Sequence, residues 1–250
     1  MYIFAILYIQ RLKMIKENAT AKDVTDFYDN FWRDKKREKV NTRHRLIRKN
    51  LVKYGLKSDS KILEIGCGNG ILTEFIAGVV TNGKVMGVDI SPETIKALQQ
   101  RFAGHKNIRF AVSDMSDYKD DTKYDFIVLP DVLEHIPVEY HANIFKTLKN
   151  ITHDNSVIYI NIPHPRGTEY LKVHSPHLMQ VIDQEIEADK LCADAYAAGF
   201  YLEKLESYAI AYHEYEYQSI VFLPKFKRKS MTPVSKTKII IRSVLLRIFG

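Results

Sequence analysis

The chain has 250 residues, 46% of them hydrophobic and 27% charged, the balance of a globular protein with room for one large α/β domain and short appendages. Its formal net charge is +7, yet residues 225–250 hold eight Lys or Arg and no acid, so the first 224 sum to about −1. A near-neutral body argues against a nucleic-acid partner, which calls for a basic face. The two cysteines, Cys67 and Cys192, form no CxxC pair, which argues against a disulfide framework or a cysteine zinc site and fits a reducing cytoplasm.

In chain order, residues 2–9 are apolar but too few to span a bilayer, and they lack the marks of a signal peptide. Met14 reads as the natural start. Val24, Phe27, Tyr28, Phe31 and Trp32 then recur at helical spacing. A second helix is predicted over 40–54, stopped by Gly55. Residues 1–55 are therefore expected to form an N-terminal helical cap.

Residues 56–224 alternate strand and helix. Strands are predicted at 61–65, 84–89, 108–112, 124–129 and 157–162, with helices at 71–80, 92–103, 137–151 and 185–198. Ser91 and Pro92 supply an N-cap and a first-turn proline. This rhythm implies a doubly wound, mostly parallel sheet of the Rossmann-like kind. Two last strands, 201–210 and 215–223, are too close for a crossover and should pair antiparallel. The segment 163–183, with His164, His174 and His177, breaks the rhythm and reads as a substrate-side insertion.

Four motifs carry the chemistry. A buried strand runs into Gly66-x-Gly68-x-Gly70, where glycine lets the backbone turn and approach a ligand. The spacing is not the GxGxxG of dinucleotide folds, and Glu64 just before it would repel a pyrophosphate but suit a cationic ligand. Asp89 ends the second predicted strand, where a carboxylate can accept both hydroxyls of a ribose. Asp114 and Met115 follow the third strand, placed for an adenine amine and ring. After the fourth strand comes Pro130-Asp131-Val-Leu-Glu134-His135. If helical there, Asp131 would share a face with Glu134 and His135.

At these motifs the chain resembles the class I S-adenosylmethionine (SAM) dependent methyltransferases, over roughly residues 21–223. It looks most like the branch with a Leu-Glu-His step, which includes ubiquinone-biosynthesis O-methyltransferases and many small-molecule and sugar methyltransferases. The resemblance implies a seven-stranded sheet with its last strand antiparallel. It implies SAM contacts at Glu64, Gly66, Gly68, Asp89, Ile90, Asp114, Met115 and Pro130, with Arg45 reaching the SAM carboxylate and Arg43 as the rival. Tyr28 and Trp32 of the cap would close over the site.

The expected reaction is methyl transfer to an oxygen or nitrogen of a small-molecule, lipid-linked or glycan acceptor, with a nucleotide-sugar or natural-product N-methyltransferase as the alternative. An NAD-dependent enzyme and an inactive SAM-binding relative rank below both. The catalytic candidates are His135, Asp131 and His164. Asp131, Glu134 and His135 leave three readings open: they brace a helix start, one of them is a general base, or the trio holds a divalent cation. No metal is assigned. The tail, 225–250, reads as a basic amphipathic helix that would place a cytoplasmic protein peripherally on an anionic membrane.

Overall fold

The computed structural model describes residues 21–33, 39–224 and 233–249. The proposed start at Met14, the side chains of Phe31 and Trp32, and the basic run 225–229 lie outside the described residues.

Seven strands form one sheet: β1 (Lys61–Ile65), β2 (Lys84–Asp89), β3 (Ile108–Val112), β4 (Tyr124–Pro130), β5 (Thr152–Pro163), β6 (Phe200–Tyr208) and β7 (Tyr217–Pro224). Their order is β3-β2-β1-β4-β5-β7-β6. The β1–β2, β1–β4, β2–β3 and β4–β5 pairs are parallel, whereas β7 runs antiparallel to both β5 and β6. The central strands are apolar runs because helices cover both faces. Alternation sends Ile62 to one core layer and Leu63 to the other. Strand order reverses between β1 and β4, so a ligand crevice opens beyond their carboxyl ends.

Around the sheet stand α1 (Ala21–Arg33), α2 (Thr42–Lys53), α3 (Ile71–Ala77), α4 (Pro92–Arg101), α5 (Val138–Asn150), α6 (Pro165–His174), α7 (Ala188–Ala197) and α8 (Lys236–Phe249). Local chemistry fixes their ends. Asn41 caps α2 by accepting from the His44 N–H at 3.0 Å, while His44 Nδ1 accepts from the Asn41 N–H. Ser91 caps α4 through the Thr94 N–H, with Pro92 in its first turn. Ile47 and Leu51, fully buried one turn apart, dock α2 onto the core.

The structure departs from expectation in the insertion. Much of 163–183 is helical: His164 caps α6 through the Arg166 N–H, Pro165 starts it, and a 3₁₀ turn follows at Pro176–Leu178. The start signal was present, but α6 is short and buries only Thr168, so no apolar stripe announced it.

Candidate active site

The glycine loop leaves β1 with left-handed backbone at Gly66 (φ 70°), Gly68 (φ 47°) and Gly70 (φ 72°). Only glycine adopts this conformation without steric cost. A Cβ on Gly66 would also overlap Val132 Cγ2. The loop is tied to β2, since the Gly66 and Cys67 N–H groups donate to Val88 O at 2.8 and 3.0 Å.

Asp89 completes that tie. Its Oδ2 accepts the Gly68 N–H at 2.9 Å and its Oδ1 accepts the Ser91 N–H at 3.0 Å. A carboxylate has about four acceptor sites, so these bonds leave it capacity for a ligand. Burial raises the carboxyl above its ordinary range, against the pull of these N–H donors. Glu64 is buried beneath the loop, accepts from Thr73 Oγ1 at 2.6 Å, and is pushed by burial up to about 8. Ile90 is partly exposed just past β2.

Beyond β3, exposed Asp114 accepts the Ser116 N–H, and Ser113 Oγ accepts the Met115 N–H. Met115 has a φ of 66° and its side chain packs into the core. Pro130 ends β4 in register with Asn161 of β5.

Asp131 departs from the helical expectation. Its φ of 55° is left-handed, only Leu133–His135 forms a 3₁₀ turn, and α5 begins at Val138. Asp131 therefore does not stack on Glu134 and His135 along one helix face. Instead its Oδ1 accepts from Asn161 Nδ2 at 2.9 Å and its Oδ2 meets Arg43 Nη1 at 2.8 Å. Arg43 also donates to Tyr217 Oη at 3.2 Å, and Tyr208 Oη donates to Asn161 Oδ1. Burial lifts the Asp131 carboxyl above its usual range, with Arg43 opposing.

The two candidate arginines are placed differently. Arg43 enters the crevice, whereas Arg45 is exposed and lies over the Phe75 ring at 6.0 Å. Residues two apart on a helix point to nearly opposite sides. Arg43 is the one in phase with buried Ile47 and Leu51.

His135 is held as a cation. Its Nδ1 donates to Ile182 O at 2.6 Å and lies 3.2 Å from Asp183 Oδ1, and its Nε2 stands 3.9 Å from Glu134 Oε1. Burial alone would lower its pKa, but Glu134 and Asp183 raise it to about 9. With the Nδ1–H directed at Ile182 O, Nε2 is the nitrogen that faces Glu134, and only in the cationic form does the ring lack a nitrogen to accept a proton. Glu134 is 2% exposed, neither carboxylate oxygen has a hydrogen-bond partner, and burial pushes it to about 8. No group of three His, Cys, Asp or Glu among the described residues is arranged to hold a metal ion.

The pKa of His164 is lowered by burial and then by Arg166, which favours the neutral ring. Its Nδ1 accepts an N–H, which puts its one proton on Nε2 as a hydrogen-bond donor. Exposed His174 stacks on Tyr170 at 4.0 Å.

The cap spans the crevice. On α1, Tyr28 Oη donates to Gln180 Oε1 at 2.7 Å and its ring meets His135 edge-on at 6.3 Å. The neighbouring Asp29 Oδ1 accepts from Ser91 Oγ at 2.5 Å. Adjacent residues of one helix thus reach both banks.

Residues 35–205, more than half the chain, match the family described as Methyltransferase domain. The chain belongs to this methyltransferase family. The chain is 35% identical over 74 residues to malonyl-[acyl-carrier protein] O-methyltransferase 1 of Ilyobacter polytropus, covering 30% of this chain and 28% of that protein. It is 28% identical over 120 residues to ubiquinone biosynthesis O-methyltransferase of Glaesserella parasuis, covering 45% and 49%. The match thus spans less than half the length of either relative. Magnesium protoporphyrin IX methyltransferase of Synechocystis, solved with bound S-adenosylhomocysteine, shares the fold with a TM-score of 0.63 at 18% identity, over 82% of this chain and all of that one.

Proposed function

We propose that this methyltransferase transfers the methyl group of SAM to an oxygen or nitrogen of a small-molecule, lipid-linked or glycan acceptor. The observation that carries the reading is Asp89: a buried carboxylate at the end of β2, oriented by the Gly68 and Ser91 N–H groups, with acceptor capacity left for ribose hydroxyls. The rest of the crevice suits the same ligand. Asp114 offers a carboxylate to an adenine amine, and burying a cationic sulfonium or ammonium beside Glu64 and Glu134 would favour their ionised forms, whereas a pyrophosphate would be repelled by them. Arg43 is the cation at hand for the ligand's carboxylate.

When bound, SAM supplies an electrophilic methyl on sulfur. The chain's own residues orient the acceptor in line with it and exclude water, with Tyr28 and α1 over the crevice. Neither histidine is poised to take a proton at neutral pH. His135 is cationic, and His164 offers an Nε2–H that would hold the acceptor. An amine acceptor loses its proton after transfer and needs little more. A hydroxyl acceptor would rely on Asp131 as base. The alternative acceptor class, a nucleotide sugar or natural-product amine, fits the same proton inventory.

The test is methyl transfer from radiolabelled SAM into cell extract separated into polar metabolites, glycans and lipids. Label in one fraction, at an oxygen or nitrogen, identifies the acceptor. Failure of SAM to bind in calorimetry overturns the reading.

A further inference from the structure

The helix α8 stands apart from the body. Every residue from 233 to 248 is exposed, including eight large aliphatic side chains, seven of them on α8, with Ile240 at 63% and Leu246 at 71%. A helix of this length is marginal alone in water. That many aliphatic groups on one element mark an interaction surface.

Their arrangement indicates the partner. Down the helix axis, Ile240, Ile241, Val244, Leu245 and Ile248 share one face. Lys238 and Arg242 line one edge of that face, and Lys236 and Arg247 the other. Ile239 and Leu246 remain on the far side. No acid occurs anywhere in 225–250, and Lys225, Lys227, Arg228 and Lys229 precede the helix in sequence. Two basic edges around an aliphatic strip match anionic headgroups over acyl chains, because Lys and Arg stems can lie along the apolar phase with their charges at its surface. The 14 residues of α8 extend about 21 Å, short of the roughly 30 Å hydrocarbon core. No described helix is long and apolar enough to cross a membrane.

We propose that α8 docks the enzyme onto an anionic lipid surface, lying in the membrane plane with the Ile240–Leu245 face in the headgroup region. This places the enzyme where a lipid-borne acceptor would be found, but the docking does not depend on which acceptor is used.

The test is flotation of the full chain with vesicles of phosphatidylcholine alone and of phosphatidylcholine mixed with phosphatidylserine. The parent should float with the mixed vesicles, less so as salt rises. The double variant Ile240→Asp, Leu245→Asp should stay behind. Lys238→Gln and Arg242→Gln should each lower partitioning about fivefold. SAM affinity, read by calorimetry, should be unchanged in all three, which shows the body intact and separates this result from any failure of the methyl-transfer reading. Flotation of the Ile240→Asp, Leu245→Asp variant equal to the parent overturns the proposal. So does a parent that ignores anionic vesicles, or one that forms a dimer through α8 in light scattering and does not float.

Discussion

Arg43 Nη1 lies 2.8 Å from Asp131 Oδ2, joining the second helix of the cap to the residue that follows β4. Asp131 sits at φ 55°, a conformation that costs a non-glycine residue free energy and persists only when its surroundings hold it. Arg43, Asn161 and the Asn161 carbonyl, which accepts the Asp131 N–H at 2.7 Å, supply that hold.

Replacing Arg43 by Ala should therefore leave a largely but not fully buried carboxylate without its counter-charge and destabilise the fold by about 1–3 kcal/mol, below the scale of a fully buried pair. Arg45→Ala should change stability by no more than about 0.5 kcal/mol, as for an ordinary exposed position. Urea denaturation of the two variants reads the difference. SAM calorimetry on the same pair tests the ligand role. Weaker binding in Arg45→Ala with none lost in Arg43→Ala would return the carboxylate contact to Arg45.

Asp89→Ala should weaken SAM binding by about 1–3 kcal/mol, the scale of a lost charge-assisted hydrogen bond. It also removes the acceptors of the Gly68 and Ser91 N–H groups, so some loss could come from a displaced loop. Asp89→Asn keeps one oxygen acceptor and should fall between parent and Ala. Calorimetry giving parent-like affinity for both variants would end the ribose assignment.

The sheet was legible in the sequence because its strands are dense apolar runs broken by turn residues, and the observed β1, β2 and β3 have the predicted bounds. The glycine loop and Asp89 were legible for a similar reason: their chemistry is local, within one strand–turn–helix unit. The Arg43–Asp131–Asn161–Tyr208 network was not, because its members come from a helix, a turn and two strands that only the folded sheet brings together. One usable signal was present, since Arg43, Ile47 and Leu51 recur every four residues on the buried side of α2. The ionisation of His135 was illegible too, as it depends on Asp183, far away in the insertion.

The pH dependence of stability should carry the mark of His135 and Glu134. The folded pKa of His135, about 9, lies above its ordinary 6.5. Its stabilising contribution is therefore complete below about 6.5 and lost as pH rises through about 9. Burial raises Glu134 from 4.5 to about 8, so the folded state also holds that proton longer than the unfolded chain does. Both effects make stability fall with rising pH, between about 4.5 and 9. In denaturant titrations His135→Gln should flatten the upper part of this slope. An NMR titration placing His135 at or below 6.5 would contradict the cationic assignment and restore it as a candidate base.

Gly66 gives the sharpest test of the loop's geometry. Its φ of 70° disfavours any side chain, and a Cβ there would overlap Val132 Cγ2. The two costs are separable. Left-handed backbone costs a non-glycine residue about 1–2 kcal/mol, and overpacking against Val132 adds about 1–3 kcal/mol. Gly66→Ala should therefore be destabilising by both amounts, while Val132→Ala alone should cost only the packing of a partly buried side chain. In the double variant the missing Val132 methyls vacate the space, so the overpacking cost disappears and the backbone cost remains. The double-mutant cycle should accordingly show a favourable coupling of about 1–3 kcal/mol. Strict additivity would mean that Val132 does not wall the loop at Gly66. SAM affinity in the double variant adds a second reading. If the fold recovers and binding stays weak, the glycine is there for the ligand's approach as well as for the turn.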